Sequence, residues 1–118
     1  MSDPWNHIND DACRRFLSAV DLVGQRWSSA ILLALARGAT RFSEILAVVP
    51  GLSGRLLTAR LRQLADDGLV ERTVIPTTPV QVRYGLTSKG RELLQSLQPL
   101  VRWGNDWLPD SAAQEESA

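Results

Sequence analysis

Apolar positions recur with a helical period in the first part of the chain. The first predicted helix begins at Asp10 or Asp11, either of which can cap it, and runs to about Val23, where Gly24 stops it. One apolar stripe follows this helix: Cys13, Phe16, Leu17, Val20 and Val23. A second helix is predicted over about 28–37, and Gly38 ends it. Its inward positions are Ile31, Leu32 and Leu35.

Two further helices are predicted on either side of a tight turn. Thr40 can cap the first of them, in the stretch RFSEILAVV, whose apolar residues are Phe42, Ile45 and Leu46. Pro50 and Gly51 then force a turn. Ser53 is placed to cap the next helix, which ends at Gly68. Its inner positions are Leu57, Leu61 and Leu64.

After Gly68 the period changes from helix to strand. The stretches LVERTVIP and VQVRYGL read as two strands, and the polar, proline-bounded PTTP between them suits a hairpin tip. Thr87 can cap a final long helix that runs to Leu108. Pro99 lies within that helical pattern, so we expect it to bend or break the helix.

This order of elements predicts a mainly α-helical winged helix-turn-helix with a small β-hairpin as the wing. Residues 1–9 are predicted to be an N-terminal arm, 10–108 the folded domain and 109–118 a disordered acidic tail. The last helix has apolar positions on more than one side, and the first helix offers its own stripe. We therefore expect the N- and C-terminal helices to form a dimer interface.

The fourth helix has the chemistry of a surface that reads DNA. Its outer face carries Arg55, Thr58, Ala59 and Arg62, opposite the leucines. In a helix-turn-helix this second helix enters the major groove, where arginine recognises guanine with two hydrogen bonds. Ser53, Gly54 and the free amides of the first turn suit a phosphate. Arg60 lies nearer the core edge and is expected to reach a phosphate or Glu71.

Charge is distributed unevenly, although the chain of 118 residues has a formal net charge of zero. Between Arg37 and Arg91 there are nine basic and four acidic residues, a net charge of +5, whereas the segments before and after it are acidic. Binding to an anion depends on this local field. Further contacts to DNA are expected from both sides of the fourth helix: Arg41, Thr77, Thr78, Arg83 and Lys89, with Arg72 on the other strand of the wing.

Five segments, GQRWSSAILLAL, RFSEI, GLSGRLLTARLRQLADDGLVER, TPVQVRYGLTSKGREL and VRWG, resemble the HxlR-type bacterial transcription regulators. The resemblance covers about Cys13 to Trp107. It implies a homodimer that binds a palindromic operator, with Ser53, Arg55, Thr58 and Arg62 reading DNA and the wing holding the backbone. We accordingly expect a cytoplasmic transcription regulator, with repression as the working hypothesis.

A regulator also needs a sensor, and two candidates stand open. Cys13 is followed by Arg14 and Arg15 near a helix start, which favours the thiolate, and some proteins of the resembling family sense oxidants there. The alternative is that Cys13 is simply buried in its apolar stripe. The second candidate is a pocket for a small hydrophobic ligand, lined by Phe16, Trp27, Leu97, Leu100, Trp103 and Trp107. The alternative is that these residues are anchors of the core and of the dimer interface.

Other functions find little support in the sequence. There is no set of nucleophile, histidine and acid, and no glycine-rich phosphate loop, so we expect no enzyme and no cofactor. One cysteine and one histidine make a transition-metal site improbable, and no apolar run is long enough to cross a membrane. The remaining alternative is a winged helix that binds an acidic protein partner instead of DNA.

Overall fold

Five α-helices and one β-hairpin make up residues 4–110, the part of the chain that the computed structural model describes. A short turn at Pro4–His7 precedes α1 (Asp10–Val23), α2 (Arg26–Ala36), α3 (Phe42–Val48) and α4 (Gly54–Asp66). The antiparallel strands β1 (Val70–Ile75) and β2 (Gln81–Leu86) follow, and then α5 (Ser88–Trp107). The predicted winged helix-turn-helix is confirmed. Residues 1–3 of the predicted arm and 111–118 of the predicted tail lie outside the described range.

The helix caps confirm the predicted starts of α4 and α5 and correct those of α1, α2 and α3. α2 begins at Arg26, two residues before its predicted start, with Gln25 as the N-cap. Ser53 caps α4 by accepting from the Leu56 amide at 3.1 Å, and Thr87 caps α5 by accepting from the Gly90 amide at 3.1 Å. At α1 the predicted aspartate cap is wrong. Asn9 precedes the helix in extended conformation, and its Oδ1 accepts from the Ala12 amide at 2.8 Å. At α3 the capping residue is Arg41, one position after the predicted Thr40.

Pro99 does not break the last helix. α5 continues across it over 20 residues from Ser88 to Trp107. A proline removes only its own amide donor from the helical ladder, and the turns on both sides keep theirs. The alternative of a broken helix is therefore wrong.

The core lies where α2, α3, α4 and the start of β1 meet. Its fully buried side chains include Ile31 and Leu32 from α2, Ile45 from α3 and Leu57 from α4. The predicted inner positions of α4 are confirmed, since Leu57, Leu61 and Leu64 are all buried. The remaining buried apolar residues are Ala34, Leu35, Val49, Leu52, Leu69 and Val70. The helix-turn-helix is thus packed on α2 through one continuous apolar cluster.

The hairpin is tied to the helices by backbone hydrogen bonds outside its own ladder. Val70 pairs with Leu86 at its base and Ile75 pairs with Gln81 near its tip. The Tyr84 amide donates to the Thr40 carbonyl at 2.8 Å, which joins β2 to the loop before α3. The Thr87 amide donates to the Leu69 carbonyl at 3.1 Å. The wing therefore has a fixed position relative to both helices of the motif.

Two helices project from this core with large apolar side chains exposed. α1 has no buried residue, and Gly90 is the sole buried residue of α5. Phe16 on α1 and Trp107 on α5 are 60% and 73% exposed. The radius of gyration is 17.1 Å, against about 13 Å for a compact domain of about 100 residues. The chain alone thus leaves the apolar faces of α1 and α5 uncovered.

Gly90 allows the base of α5 to touch the backbone between α4 and β1. A Cβ atom added there would lie 2.2 Å from the Leu69 carbonyl oxygen, closer than any real contact. On the same helix, a Cβ at Gly104 would meet only the Leu108 Cδ1 atom at 4.0 Å.

We expect Gly90→Ala to lower the free energy of unfolding by about 2–3 kcal/mol, because α5 must move away from Leu69. Gly104→Ala is the matched control, and it should be neutral or stabilising by up to about 1 kcal/mol, since alanine is the better helix former. Urea unfolding of both variants measures the difference. Equal effects of the two substitutions would contradict the close approach at Gly90.

Candidate nucleic-acid interface

The outer face of α4 presents unpaired donors over its N-terminal half. Arg55, Thr58 and Arg62 are exposed, as are Ser53 and Ala59. The Thr58 hydroxyl donates to the Gly54 carbonyl at 2.9 Å, which leaves the lone pairs of its oxygen directed to solvent. Neither Arg55 nor Arg62 forms an ion pair, because the one ion pair within residues 4–110 joins Arg14 to Asp11 on α1. Arg55 and Arg62 can therefore donate to an anion or a base edge, and Thr58 can accept a hydrogen bond, without loss of an internal contact.

Arg60 differs from the arginines beside it. Its side chain is half-buried, and its Nε atom is buried without a hydrogen-bond partner. The prediction that it borders the core is confirmed. The suggested ion pair with Glu71 is not formed. The apolar inner face of α4 therefore extends to the stem of Arg60, and the charge at its tip has no acidic neighbour to neutralise it.

A cleft of about 410 Å³ separates the outer face of α4 from the wing. Arg62 lines it from the helix and Arg72 from β1, so two guanidinium groups from different elements share one cavity. The rest of its lining consists of Thr58, Leu61, Ala65, Asp66 and Tyr84. Guanidinium groups and hydroxyls are donors suited to phosphate oxygens. The carboxylate of Asp66 also lines the cleft and weakens its attraction for an anion, but the two arginines outweigh it in charge.

Tyr84 is a member of this cleft that sequence reasoning missed. In the strand pattern it stands in an apolar alternation with Val80 and Val82, which predicts a core residue. Its backbone pairs directly with Arg72 across the hairpin, so the two residues line the cleft together. The sequence indicated this neighbour only indirectly, because the spacing of the two strands around the hairpin tip determines that Tyr84 pairs with Arg72.

The wing residues named from the sequence lie on the hairpin and partly support one another. Arg83 donates through Nη2 to the Gln81 side chain at 2.9 Å, which orients its guanidinium along β2. At the tip the Thr77 hydroxyl donates to the Pro79 carbonyl at 2.7 Å. Thr78 precedes Pro79 in the same tip. The tip is thus held in shape by a side chain of its own, with Arg83 beside it as a charged donor.

Lys89 lies at the opposite end of α4 from Ser53. Its Nζ donates to the Asp67 carbonyl at 2.7 Å, where it satisfies a free carbonyl at the helix C-terminus. The Thr87 hydroxyl does the same for the Gly68 carbonyl at 2.6 Å. Because α4 has 13 residues and a helix rises about 1.5 Å per residue, Lys89 lies roughly 20 Å from the N-terminal cap. The structure thus gives Lys89 a structural contact in addition to its charge.

Arg41 and Glu44 mark the start of α3, the first helix of the motif. Arg41 is exposed, and its amide donates to the Glu44 carboxylate at 2.8 Å. The same Oε1 atom accepts from the Thr40 amide at 3.1 Å and from the Thr40 hydroxyl at 3.2 Å. The backbone hydrogen bond from Thr40, followed by that from Arg41, holds the pKa of Glu44 below its usual value.

The residues proposed as sensors are distributed over the surface of the single chain. Cys13 is a free, exposed thiol on α1, so the chain by itself does not bury it. Trp27 packs against the core and Leu97 is half-buried. The other predicted pocket residues are exposed: Phe16, Leu100, Trp103 and Trp107. Within one chain these side chains therefore do not enclose a cavity.

Residues 4–110 contain no cluster of three or more histidine, cysteine or acidic side chains that could hold a metal ion. Over the same range, no helix combines the length and hydropathy needed to span a membrane.

Comparison with known proteins places this geometry among helix-turn-helix regulators. The model of the HxlR-like helix-turn-helix family matches residues 22–112. The chain is 45% identical over 101 residues to the transcriptional regulator YvaP of Bacillus subtilis, covering 86% of this chain and 94% of YvaP. It is 38% identical over 111 residues to the B. subtilis transcriptional regulator YodB, covering 92% and 99% of the two chains.

Two solved structures show the same fold. The reduced form of YodB superposes with a TM-score of 0.72 at 35% identity, covering 92% of this chain and 96% of YodB. The oxidized form of the redox regulator HypR superposes with a TM-score of 0.73 at 30% identity, covering 81% of this chain and 99% of HypR. YodB has also been solved after treatment with diamide.

We expect Glu44→Gln to lower the thermal stability at neutral pH, because the charged carboxylate is the better acceptor for the amides of Thr40 and Arg41. The folded-state pKa of Glu44 is lowered, so its contribution is present above the ordinary value of 4.5 and is lost as the pH falls through the folded-state value. The melting temperatures of the variant and the wild type should therefore converge in acid. A difference that is constant with pH would contradict the charged cap.

Proposed function

The chain belongs to the HxlR-like helix-turn-helix family, and we propose that it is a DNA-binding transcriptional regulator that binds a palindromic operator as a homodimer. The observation that carries this proposal is the exposed outer face of α4, where Arg55, Thr58 and Arg62 stand without internal ion pairs. The proposal also includes a response to oxidation of Cys13 or to a small hydrophobic ligand.

In the proposed complex α4 lies in the major groove with its outer face toward the base edges. Arg55 and Arg62 stand two turns apart on that face, so they reach different base pairs, and each can bind the O6 and N7 of a guanine. Thr58 lies between them and can accept through its hydroxyl oxygen, whose proton is donated to the Gly54 carbonyl. Ala59 has no side chain beyond Cβ, which permits close approach to the groove.

Contacts to phosphate set the register of that helix. The amides of Gly54 and Arg55 have no intrahelical acceptor and point toward the N-terminal end of α4, where a phosphate is favoured. In the cleft, Arg72 of β1 can hold a phosphate of the strand that passes between α4 and the wing, while Arg62 on the facing helix reaches the base edges. Thr77, Thr78 and Arg83 on the wing, with Arg41 before α3, extend the contact along the backbone.

A homodimer is supported by the surface that the single chain leaves uncovered. α1 and the distal half of α5 together expose apolar side chains that a soluble monomer would bury: Phe16, Leu17, Val20, Leu100, Val101, Trp103 and Trp107. A second copy that buries these residues against its own identical surface forms a dimer with a two-fold axis. A two-fold dimer presents two copies of α4, so its operator repeats as an inverted half-site about one helical turn away.

Selection of bound sequences from a random duplex pool tests this proposal. We expect a palindrome with half-sites about 34 Å apart, and a dimer by sedimentation. Arg62→Ala should relax the preference at one base position in each half-site at a cost of about 1–3 kcal/mol. Arg83→Gln is the contrasting variant. It should weaken binding to all DNA sequences by the same factor and reduce the slope of log affinity against log salt concentration by about one.

Three results would count against the proposal. They are a monomer at micromolar concentration, a pool without an enriched sequence, and binding that does not weaken as salt rises. DNA binding must weaken with salt because counterions are released from the phosphates. A shallow salt dependence together with no sequence preference would assign the basic face to an acidic protein partner.

Oxidation of Cys13 is supported by its exposure and by the relatives. YodB has been solved in its reduced form and after diamide treatment, and HypR in its reduced and oxidized forms. Cys13 is the one cysteine of the chain, so any disulfide that it forms must join it to another molecule. When this intermolecular disulfide forms, the Cys13 thiol and a second thiol together lose two protons and two electrons to the oxidant, and one S–S bond is made.

Cys13 is exposed in the single chain, and we expect iodoacetamide to modify it in the native homodimer, which requires that pairing of the α1 helices leaves the thiol accessible. Diamide should change the operator affinity of the wild type at least several-fold, whereas Cys13→Ser should bind the operator normally and not respond. The reaction is followed by intact mass, and the affinity by titration of the labelled operator. Equal responses of wild type and Cys13→Ser to diamide would remove Cys13 from the sensing mechanism.

A further inference from the structure

A groove of about 480 Å³ lies between α2 and α3 and shares no lining residue with the cleft beside the wing. Its volume is within the range of about 300–1,000 Å³ typical of small-molecule sites. Small side chains leave the space: Ala30 and Ala34 of α2, Ala39 of the loop and Ala47 of α3. Leu33 and Val48 line the groove and are 47% and 56% exposed.

One unpaired positive charge borders this apolar groove. Arg37, at the C-terminal end of α2, lines it and has neither an ion pair nor a side-chain hydrogen bond within residues 4–110. Arg37 is exposed, and Gly38 beside it also lines the groove and has no atom within 4 Å of the position of a Cβ. An anionic group can therefore reach Arg37 without displacing another side chain.

The one acidic side chain in the lining forms no ion pair with Arg37. Glu44 accepts three hydrogen bonds instead, from the Thr40 amide, the Thr40 hydroxyl and the Arg41 amide. These hydrogen bonds hold its carboxylate at the start of α3 and favour its charged form, so an acidic ligand group is favoured only at the Arg37 end of the groove. A second anionic group placed near Glu44 would be repelled. The lining is complementary to a molecule with one negative charge at the Arg37 end and an apolar body.

We propose that the groove between α2 and α3 binds a small amphipathic organic acid, with its apolar ring system between Leu33 and Val48 and its single acidic group on Arg37. This assignment rests on the proposed function in one respect, because it names the site through which an effector acts on DNA binding. It differs from the aromatic set predicted between the terminal helices, with which it shares no residue.

The position of the groove couples it to the DNA-reading helix. Its lining includes Val49 and Pro50, which form the start of the turn between α3 and α4. Two residues later Leu52 is buried in the core, and Ser53 caps α4. A ligand in the groove contacts α2, the first helix of the motif and its turn at once. If the ligand changes the affinity of the protein for the operator by some factor, the operator changes the affinity of the protein for the ligand by the same factor.

Two fluorescent probes with the same kind of aromatic body test the site. Anilinonaphthalene sulfonate carries one negative charge, and phenylnaphthylamine carries none. We expect the sulfonate to bind the wild type, and Arg37→Gln to weaken it about tenfold while leaving the neutral probe unchanged. Arg15→Gln, which removes an exposed arginine from α1, is the matched control and should change neither probe.

A second variant fills the groove from an exposed position. Ala47→Trp should abolish binding of both probes at the site, because the indole occupies the space beside Leu33 and Val48. Methyl NMR spectra locate the site, since the sulfonate should shift the Leu33 and Val48 methyls in the wild type and leave them unshifted in Ala47→Trp. Saturating sulfonate should also change the operator affinity of the wild type at least twofold, and that of Ala47→Trp not at all.

The proposal is overturned if Ala47→Trp and Arg37→Gln leave sulfonate binding unchanged, or if the shifted methyls belong to α1 and α5. It is also overturned if Ala47→Trp changes the oligomeric state in sedimentation, because the groove would then be covered by a second copy. Binding in the groove without an effect on operator affinity would refute the effector role. The probe titrations contain no DNA, so failure of operator selection leaves them intact and refutes the proposed function alone.

Discussion

The burial of one face of α4 is the constraint on which the rest of the structure depends. Leu57, Leu61 and Leu64 are all buried, and each contributes about 1.5–3 kcal/mol to the free energy of folding. Because a helix has a fixed angular spacing, burying these three residues fixes which residues point away from the core. Arg55, Thr58 and Arg62 are displayed as a consequence of that packing.

The two ends of α4 are then used for different purposes. At its N-terminus Ser53 occupies the Leu56 amide, and the amides of Gly54 and Arg55 remain for a ligand. At its C-terminus Thr87 and Lys89 satisfy the last carbonyls. Those two residues begin α5, so the end of α4, the base of the wing and the start of α5 form one hydrogen-bonded junction. The junction therefore ties the end of α4 to the start of α5 through hydrogen bonds that the carbonyls of Asp67 and Gly68 would otherwise lack.

The exposed apolar surface divides according to the elements that carry it. α1 and the distal part of α5 carry one portion, and Leu33 and Val48 in the groove carry another. Neither lies on α4, which is occupied with the core on one face and is basic on the other. Cys13 is on α1 and the groove borders the turn before α4. In this arrangement the proposed sensing elements are separate from the surface proposed to bind DNA, and they are connected to it through α2, α3 and α5.

The sequence by itself determined the elements, the core of α4 and the basic outer face, since helical periodicity, capping residues and turn residues are local properties. Ser53, Thr87 and the buried leucines were all predicted correctly for this reason. Only the tertiary structure decided which residues from different elements meet. Tyr84 joins Arg72 and Arg62 because the hairpin register and the packing of α4 bring them to one cleft. Lys89 meets Asp67 because the start of α5 lies against the end of α4, and Arg37 borders an apolar groove because α3 packs beside α2. Contacts between residues of different elements depend on how those elements pack, which no local sequence pattern encodes.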